Sequence, residues 1–93
     1  MEQNYPNPFN SSTSIKFSIP DFEFISLKVY NILGQEIATL VDQQEIDEWT
    51  QEVVFDATNF ASGLYFYRLT ARGTDDQGQL QMYQSVKKMM LIK

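Results

Sequence analysis

Hydrophobic residues along this chain recur at every second position, and that period decides the fold class. Ile15, Phe17 and Ile19 alternate with Ser14, Lys16 and Ser18, and Ile25, Leu27 and Val29 alternate with Ser26, Lys28 and Tyr30. Successive side chains of a strand point to opposite faces, so such a period sets one apolar row against a core and one polar row in water. The first run closes at Pro20, which has no amide to give to a ladder. After Asn31, the segment Ile32-Leu33-Gly34-Gln35 offers a glycine for the positive φ of a tight reversal, and the chain resumes over residues 36–41 as the second arm of a hairpin. The alternation slips by one between Ile37 and Leu40, which predicts a bulge or an early strand end. Trp49, Gln51, Val53 and Phe55 again share one parity. Residues 63–72 are apolar on both parities at first, with Tyr65, Tyr67 and Leu69 on one and Leu64 and Phe66 on the other, the pattern of a central strand covered twice. Thr74-Asp75-Asp76-Gln77-Gly78 is a turn cluster. Residues 79–93 then return as a long last strand whose parity shifts near Ser85.

About seven strands with no helical stripe predict an all-β fold, an immunoglobulin-like antiparallel β-sandwich. At 93 residues and 43% apolar content the chain can bury one core, so residues 1–93 read as one domain. Residues 1–10 form a lead-in and residues 11–93 the sandwich. In the lead-in, Pro6 and Pro8 fix an extended, non-pairing segment, and Tyr5 and Phe9 are the apolar anchors that dock it. The stretch Asp56-Ala57-Thr58-Asn59-Phe60-Ala61-Ser62-Gly63-Leu64-Tyr65 has the layout of a tyrosine corner. Its phenol is expected to bond a backbone carbonyl between Ala57 and Ala61.

Several classes of chemistry lack their usual residues. The chain has no histidine and no cysteine, which removes the common general base at neutral pH, the partner of a nucleophilic serine, disulfides and thiolate metal sites. A net charge of −5 repels phosphate backbones and anionic membranes. No apolar run is long enough to span a bilayer, and Met1-Glu2-Gln3-Asn4 is acidic and polar, unlike a signal peptide. Asp42, Glu45, Asp47 and Glu48 read as a solvated acidic loop rather than a calcium site, because the bend-forming glycine and alternating ligands are missing. Asp75 and Asp76 suit a turn. Trp49, Tyr30, Tyr65, Tyr67 and Tyr83 offer a sugar platform only if several of them stay out of the core. No enzyme activity, cofactor, metal, nucleic acid or small-molecule substrate is expected. The end of the chain, Lys87-Lys88-Met89-Met90-Leu91-Ile92-Lys93, puts basic and apolar residues on an acidic protein. It is either the closing strand or an exposed edge with which another protein pairs, and such an edge invites dimers.

Five blocks, taken in order, resemble the type A carboxy-terminal sorting domain of the type IX (Por) secretion system. They are Asn4-Tyr5-Pro6-Asn7-Pro8-Phe9-Asn10, Thr13-Ser14-Ile15-Lys16-Phe17-Ser18-Ile19-Pro20, Leu27-Lys28-Val29-Tyr30-Asn31-Ile32-Leu33-Gly34-Gln35-Glu36, Ala61-Ser62-Gly63-Leu64-Tyr65-Phe66-Tyr67-Arg68-Leu69 and the terminal Lys87-Lys88-Met89-Met90-Leu91-Ile92-Lys93. The resemblance implies a module fused behind an N-terminal cargo, recognised by the outer-membrane type IX translocon of Bacteroidetes-type bacteria. The cargo would travel through the periplasm to the cell surface or beyond, commonly with cleavage by a sortase-like cysteine protease. Carried over to this chain, it assigns translocon recognition to Gly63, Tyr65, Lys88, Met89, Met90, Leu91, Ile92 and Lys93. Tyr5, Pro6, Pro8, Phe9, Gly34 and Tyr65 take structural roles. Ser11 departs from the family, which often has proline there, and the hairpin over residues 72–85 is longer than usual. The alternative is an immunoglobulin-like accessory domain that binds carbohydrate or spaces a catalytic domain from the surface.

Overall fold

In a computed structural model, described over residues 1–18, 24–45 and 50–93, the chain is all-β. The strands are β1 (Ser12–Ser18), β2 (Phe24–Tyr30), β3 (Glu36–Glu45), β4 (Thr50–Asp56), β5 (Gly63–Thr74) and β6 (Leu80–Leu91). β1 and β4 make a two-stranded sheet, and the other four make a sheet in the order β3-β2-β5-β6, with every pair antiparallel. This is the expected immunoglobulin-like sandwich, with six strands among the described residues rather than about seven. Two strands of 12 residues, β5 and β6, use up much of the chain, and the proline-interrupted lead-in makes single bridges instead of a strand. The readings placed on Ile19, Pro20 and Trp49 lie outside the described residues.

The period of two becomes a core in the direct way. Ile15 and Phe17 of β1 and Phe55 of β4 are buried in one cluster with Ile25, Leu27 and Val29 of β2 and Val41 of β3. Tyr65, Tyr67, Leu69 and Ala71 of β5 join them, with Met89 and Leu91 of β6. Each fully buried aliphatic or aromatic side chain contributes about 1.5–3 kcal/mol. At the β2–β3 reversal Gly34 adopts φ +80°. The Asn31 side-chain oxygen accepts from the Leu33 and Gln35 amides at 2.9 and 3.0 Å, so a short polar side chain organises the turn locally. The β2–β3 register skips at Ile37 and again at Leu40, the positions where the alternation slips.

One reading of the long hairpin changes and one is refined. β5 is an interior strand, but its Leu64 and Phe66 face is only half-buried, and no described strand lies over it. Arginine takes the place of a second layer: the Arg68 guanidinium lies 4.7 Å from the Tyr30 ring centre and that of Arg72 lies 5.0 Å from that of Phe24. The parity shift near Ser85 is seen within an unbroken ladder, since β5–β6 keeps one register from Gly63 opposite Leu91 to Thr74 opposite Leu80. The apolar residues themselves change face. Leu80, Met82 and Val86 stand on the outer side, exposed, while Met89 and Leu91 are buried.

The lead-in also differs from its expectation. Phe9 is buried as expected, but Tyr5 is 81% exposed and anchors nothing through its ring. The segment pairs at both ends: Tyr5 bridges Ser14 antiparallel and Phe9 bridges Leu91 parallel. Pairing with Ser14 forces alternation, which sends Tyr5 outward and its neighbour Asn4 inward. Asn4, 2% exposed, donates to the Thr13 hydroxyl at 2.9 Å and to the Pro6 carbonyl at 3.1 Å, and Thr13 donates to that same carbonyl at 2.9 Å. The Tyr67 hydroxyl, inside the core, accepts from the Asn4 amide at 2.8 Å and donates to the Glu2 carbonyl at 3.2 Å.

Tyr67→Phe keeps the ring and leaves the Asn4 amide without its acceptor, so unfolding in urea is expected to show a loss of about 1–3 kcal/mol. Burial pushes the Tyr67 phenol above its ordinary value, with the Asn4 amide pulling weakly the other way. Above the ordinary value near 10 the unfolded chain loses this proton while the native one keeps it, so the contribution present below pH ~10 fades as pH rises. The fall in stability on the alkaline side is expected to be shallower in Tyr67→Phe than in the parent, as followed by urea titrations across that range.

Candidate functional site

The residues singled out around position 63 and at the end of the chain meet on one side of the sandwich. The hydroxyl of Tyr65 donates to the Ala61 carbonyl at 2.6 Å, the bond expected of a tyrosine corner, and its ring is buried. An aromatic row of Phe9, Phe55, Phe60 and Tyr65 runs beneath the corner with centroid spacings of 6.2, 5.7 and 6.4 Å. Gly63, where β5 leaves the corner, has φ +153°, and a Cβ built there would meet nothing within 4 Å. Glycine is required by the backbone at this point rather than by lack of space.

Register then brings the end of the chain to the corner. Gly63 lies opposite Leu91, and Tyr65 lies opposite Met89. The Lys93 amide donates to the Ser62 hydroxyl at 2.9 Å, and its ammonium group donates to the Thr58 carbonyl at 2.6 Å. On the same turn, the Thr58 hydroxyl and amide both bond the Asp56 carboxylate, holding it below its ordinary range, with the Lys93 charge adding to the effect. Alternation divides the terminal residues into two sets. Met89 and Leu91 are buried, whereas Lys88, Met90, Ile92 and Lys93 are exposed.

The outer edge of this terminal stretch is occupied, which corrects its reading as an open strand edge. The Phe9 amide donates to the Met90 carbonyl at 2.9 Å, and the Ile92 amide donates to the Phe9 carbonyl at 2.8 Å. The Asn7 side-chain oxygen accepts from the Met90 amide at 3.0 Å, and the Gln3 side chain donates to the Lys88 carbonyl at 2.8 Å. Beside these contacts Asn7, Leu64, Lys88, Met89 and Met90 line a cleft. Gln3, Asn7, Thr58 and Ser62 were not legible as members of this site. All four act on residues far along the chain, 31 to 85 positions away.

Among the described residues, the other candidate constellations do not assemble as a common surface. Tyr65 and Tyr67 belong to the core, Tyr30 lies beneath Arg68 and accepts from its guanidinium, and Trp49 is outside the described residues. Asp75 has the local role that suits a turn: its carboxylate accepts from the Gln77 and Gln79 amides at 2.9 and 2.8 Å. Of the acidic loop, Asp47 and Glu48 are outside the described residues.

Comparison with protein families gives one decisive finding, a match over residues 3–82 to the family described as the secretion system C-terminal sorting domain. The chain belongs to this family. The matched residues include the lead-in, the Gly34 hairpin and the tyrosine corner of the sorting domain. The family is a sorting signal rather than a catalytic one. Comparisons with curated proteins and with solved structures give no match.

Two substitutions separate the corner's backbone from its hydroxyl. Gly63→Ala forces a side chain onto a positive φ and is expected to cost about 1–3 kcal/mol. Tyr65→Phe loses one bond to a carbonyl at the surface-facing end of the ring and is expected to cost about 0.5–1.5 kcal/mol. Thermal melts of the two variants would show the larger shift for Gly63→Ala.

Proposed function

We propose that this sorting domain directs a larger cargo, fused on its N-terminal side, through the type IX outer-membrane translocon to the cell surface or the medium. In this reading residues 1–93 act as one folded module, and a sortase-like cysteine protease acts on the cargo side of it. The observation that carries the reading is the Gly63–Leu91 register, which joins two segments far apart in sequence into one surface. Family membership supplies the class of function, and the register supplies a place where a translocon component can grip.

Burial divides the proposed recognition residues into two roles. Lys88, Met90, Ile92 and Lys93 present side chains to solvent and are the direct contacts. Gly63, Tyr65, Met89 and Leu91 hold those four in position from inside, through the corner and the core. The basic ends and apolar middle of this face fit a partner surface that combines apolar and acidic groups.

The experiment is a secreted reporter fused to residues 1–93 in a type IX-competent cell. Deleting residues 89–93 is expected to leave the reporter in the periplasm, but it also removes two core side chains. The sharper variant is therefore Met90→Glu with Ile92→Glu, which changes only exposed side chains. It is expected to lower surface display at least tenfold while the circular dichroism of the purified domain is unchanged. Ile32→Glu, at a more exposed side chain on the β2–β3 turn, is expected to display normally. Normal display of the folded Met90→Glu, Ile92→Glu variant would remove the terminal face from the mechanism.

A further inference from the structure

The lead-in lies along the side of β1 that faces away from β4, and its pairing there sorts side chains as a strand would. Tyr5 and Ser14 exchange both backbone hydrogen bonds, at 3.0 and 2.9 Å, and the Glu2 amide donates to the Lys16 carbonyl at 3.0 Å. Residues paired in this way carry their side chains on one face of a sheet. Asn4, Thr13, Ile15 and Phe17 turn to the core, so Tyr5, Ser14 and Lys16 share the outer face. Glu52 of β4 stands opposite Lys16 and joins them. Together with Glu2 and Gln3 these four residues line a cleft of about 240 Å³. β6 and the terminal stretch belong to the other sheet, so the cleft is independent of the sorting reading.

The side chains of this cleft do little for the fold. The Tyr5 ring is 81% exposed and stands outside the core cluster. Among the described residues, the Ser14 hydroxyl and the Glu2 carboxylate take part in no hydrogen bond or ion pair within the chain. The Lys16 ammonium and the Glu52 carboxylate stop 3.9 Å apart, each side chain about half exposed, too far for a hydrogen bond. Their N–H groups and lone pairs are therefore left for a ligand. Gln3 is committed elsewhere, its side-chain nitrogen donating to the Asn4 side chain at 2.6 Å and to the Lys88 carbonyl at 2.8 Å.

Charge and shape select the ligand. A cation attracted to Glu2 and Glu52 meets the Lys16 ammonium, and an anion attracted to Lys16 meets two carboxylates. Apolar peptide anchors find no valine, leucine, isoleucine or methionine in the lining. A neutral ring of hydroxyl groups with apolar C–H faces has no such conflict. Its hydroxyls both donate and accept, which suits Lys16 as donor, Glu2 and Glu52 as acceptors and Ser14 as either. The exposed face of Tyr5 takes the C–H groups. The volume is below the ~300–1,000 Å³ of sites for drug-sized molecules and suits a single ring. We propose that this cleft binds one pyranose unit of a neutral glycan. The domain then holds carbohydrate on one sheet and carries the terminal stretch on the other.

The test is an NMR titration of the isotope-labelled 93-residue chain with the methyl glycosides of glucose, galactose, mannose and N-acetylglucosamine. At least one of them is expected to shift the amide resonances of Tyr5, Ser14, Lys16 and Glu52 with a dissociation constant of about 1–10 mM, leaving those of Met90 and Ile92 in place. Tyr5→Phe keeps the ring and is expected to bind within about threefold of the parent, whereas Tyr5→Ala is expected to bind about tenfold more weakly. Ser14→Ala with Glu52→Gln leaves the lead-in unchanged and is expected to show a similar loss. Circular dichroism and thermal melts check that each variant is folded. Met90→Glu with Ile92→Glu is expected to bind sugar as the parent does, so failure of the sorting reading and failure of this one are told apart. No effect from any of the sugars at about 50 mM, undiminished binding by Tyr5→Ala, or tighter binding of a lysine oligopeptide at the same residues would overturn the proposal.

Discussion

A tyrosine hydroxyl placed at the centre of an apolar core has to find partners or cost the desolvation of a polar group, and Tyr67 finds them outside its own sheet. Its acceptor is the Glu2 carbonyl and its donor is the Asn4 amide, so the first residues of the chain become the lining of the core. From there the rest of the lead-in is determined step by step. Asn4 turns in to Thr13 and Pro6, the pairing with Ser14 fixes the direction of the backbone, and Phe9 arrives at the outer edge of β6. Among the described residues no buried side-chain polar atom is left without a partner.

β5 is the strand through which these constraints meet. Its start, Gly63, receives the end of the chain. Its third and fifth residues, Tyr65 and Tyr67, tie down the corner and the lead-in. Its far half lies opposite residues 80–86 of β6, which contain no acid and no base. The same strand therefore supports two surfaces of different character. One is closed by the lead-in and carries lysines and exposed apolar side chains. The other is uncharged and has no described strand beside it.

Period-two alternation was sufficient to read the sandwich, the Gly34 hairpin and even the slip at Ile37 and Leu40, because each is a local property of the chain. The tyrosine corner was legible for the same reason, its hydroxyl reaching back only four residues. What escaped depends on distant partners. Asn4 looks like a loop residue until Tyr67, 63 residues on, is placed beside it, and Tyr5 looks like an anchor until pairing with Ser14 sends it outward. Leu64 and Phe66 suggested a second covering layer, because nothing local shows that arginine stems and guanidinium groups cover the outer face instead. The terminal segment was recognisable as distinct, but its division into buried Met89 and Leu91 and exposed Met90 and Ile92 follows from a register that only the folded sheet supplies. Closure of its edge by Phe9 joins residues 82 positions apart, counting 91 less 9, and no pattern in either segment announces it.

Phe9 and Leu91 run parallel, and this direction has a mechanical meaning. A pull that separates the first residue of the chain from the last acts along the two segments in opposite senses, so their contact is loaded in shear. The Phe9–Met90 and Ile92–Phe9 hydrogen bonds then bear the force together with the buried Phe9 ring, instead of opening one after the other. Whatever is attached ahead of the lead-in is thus coupled to the end of the chain through a junction that resists traction.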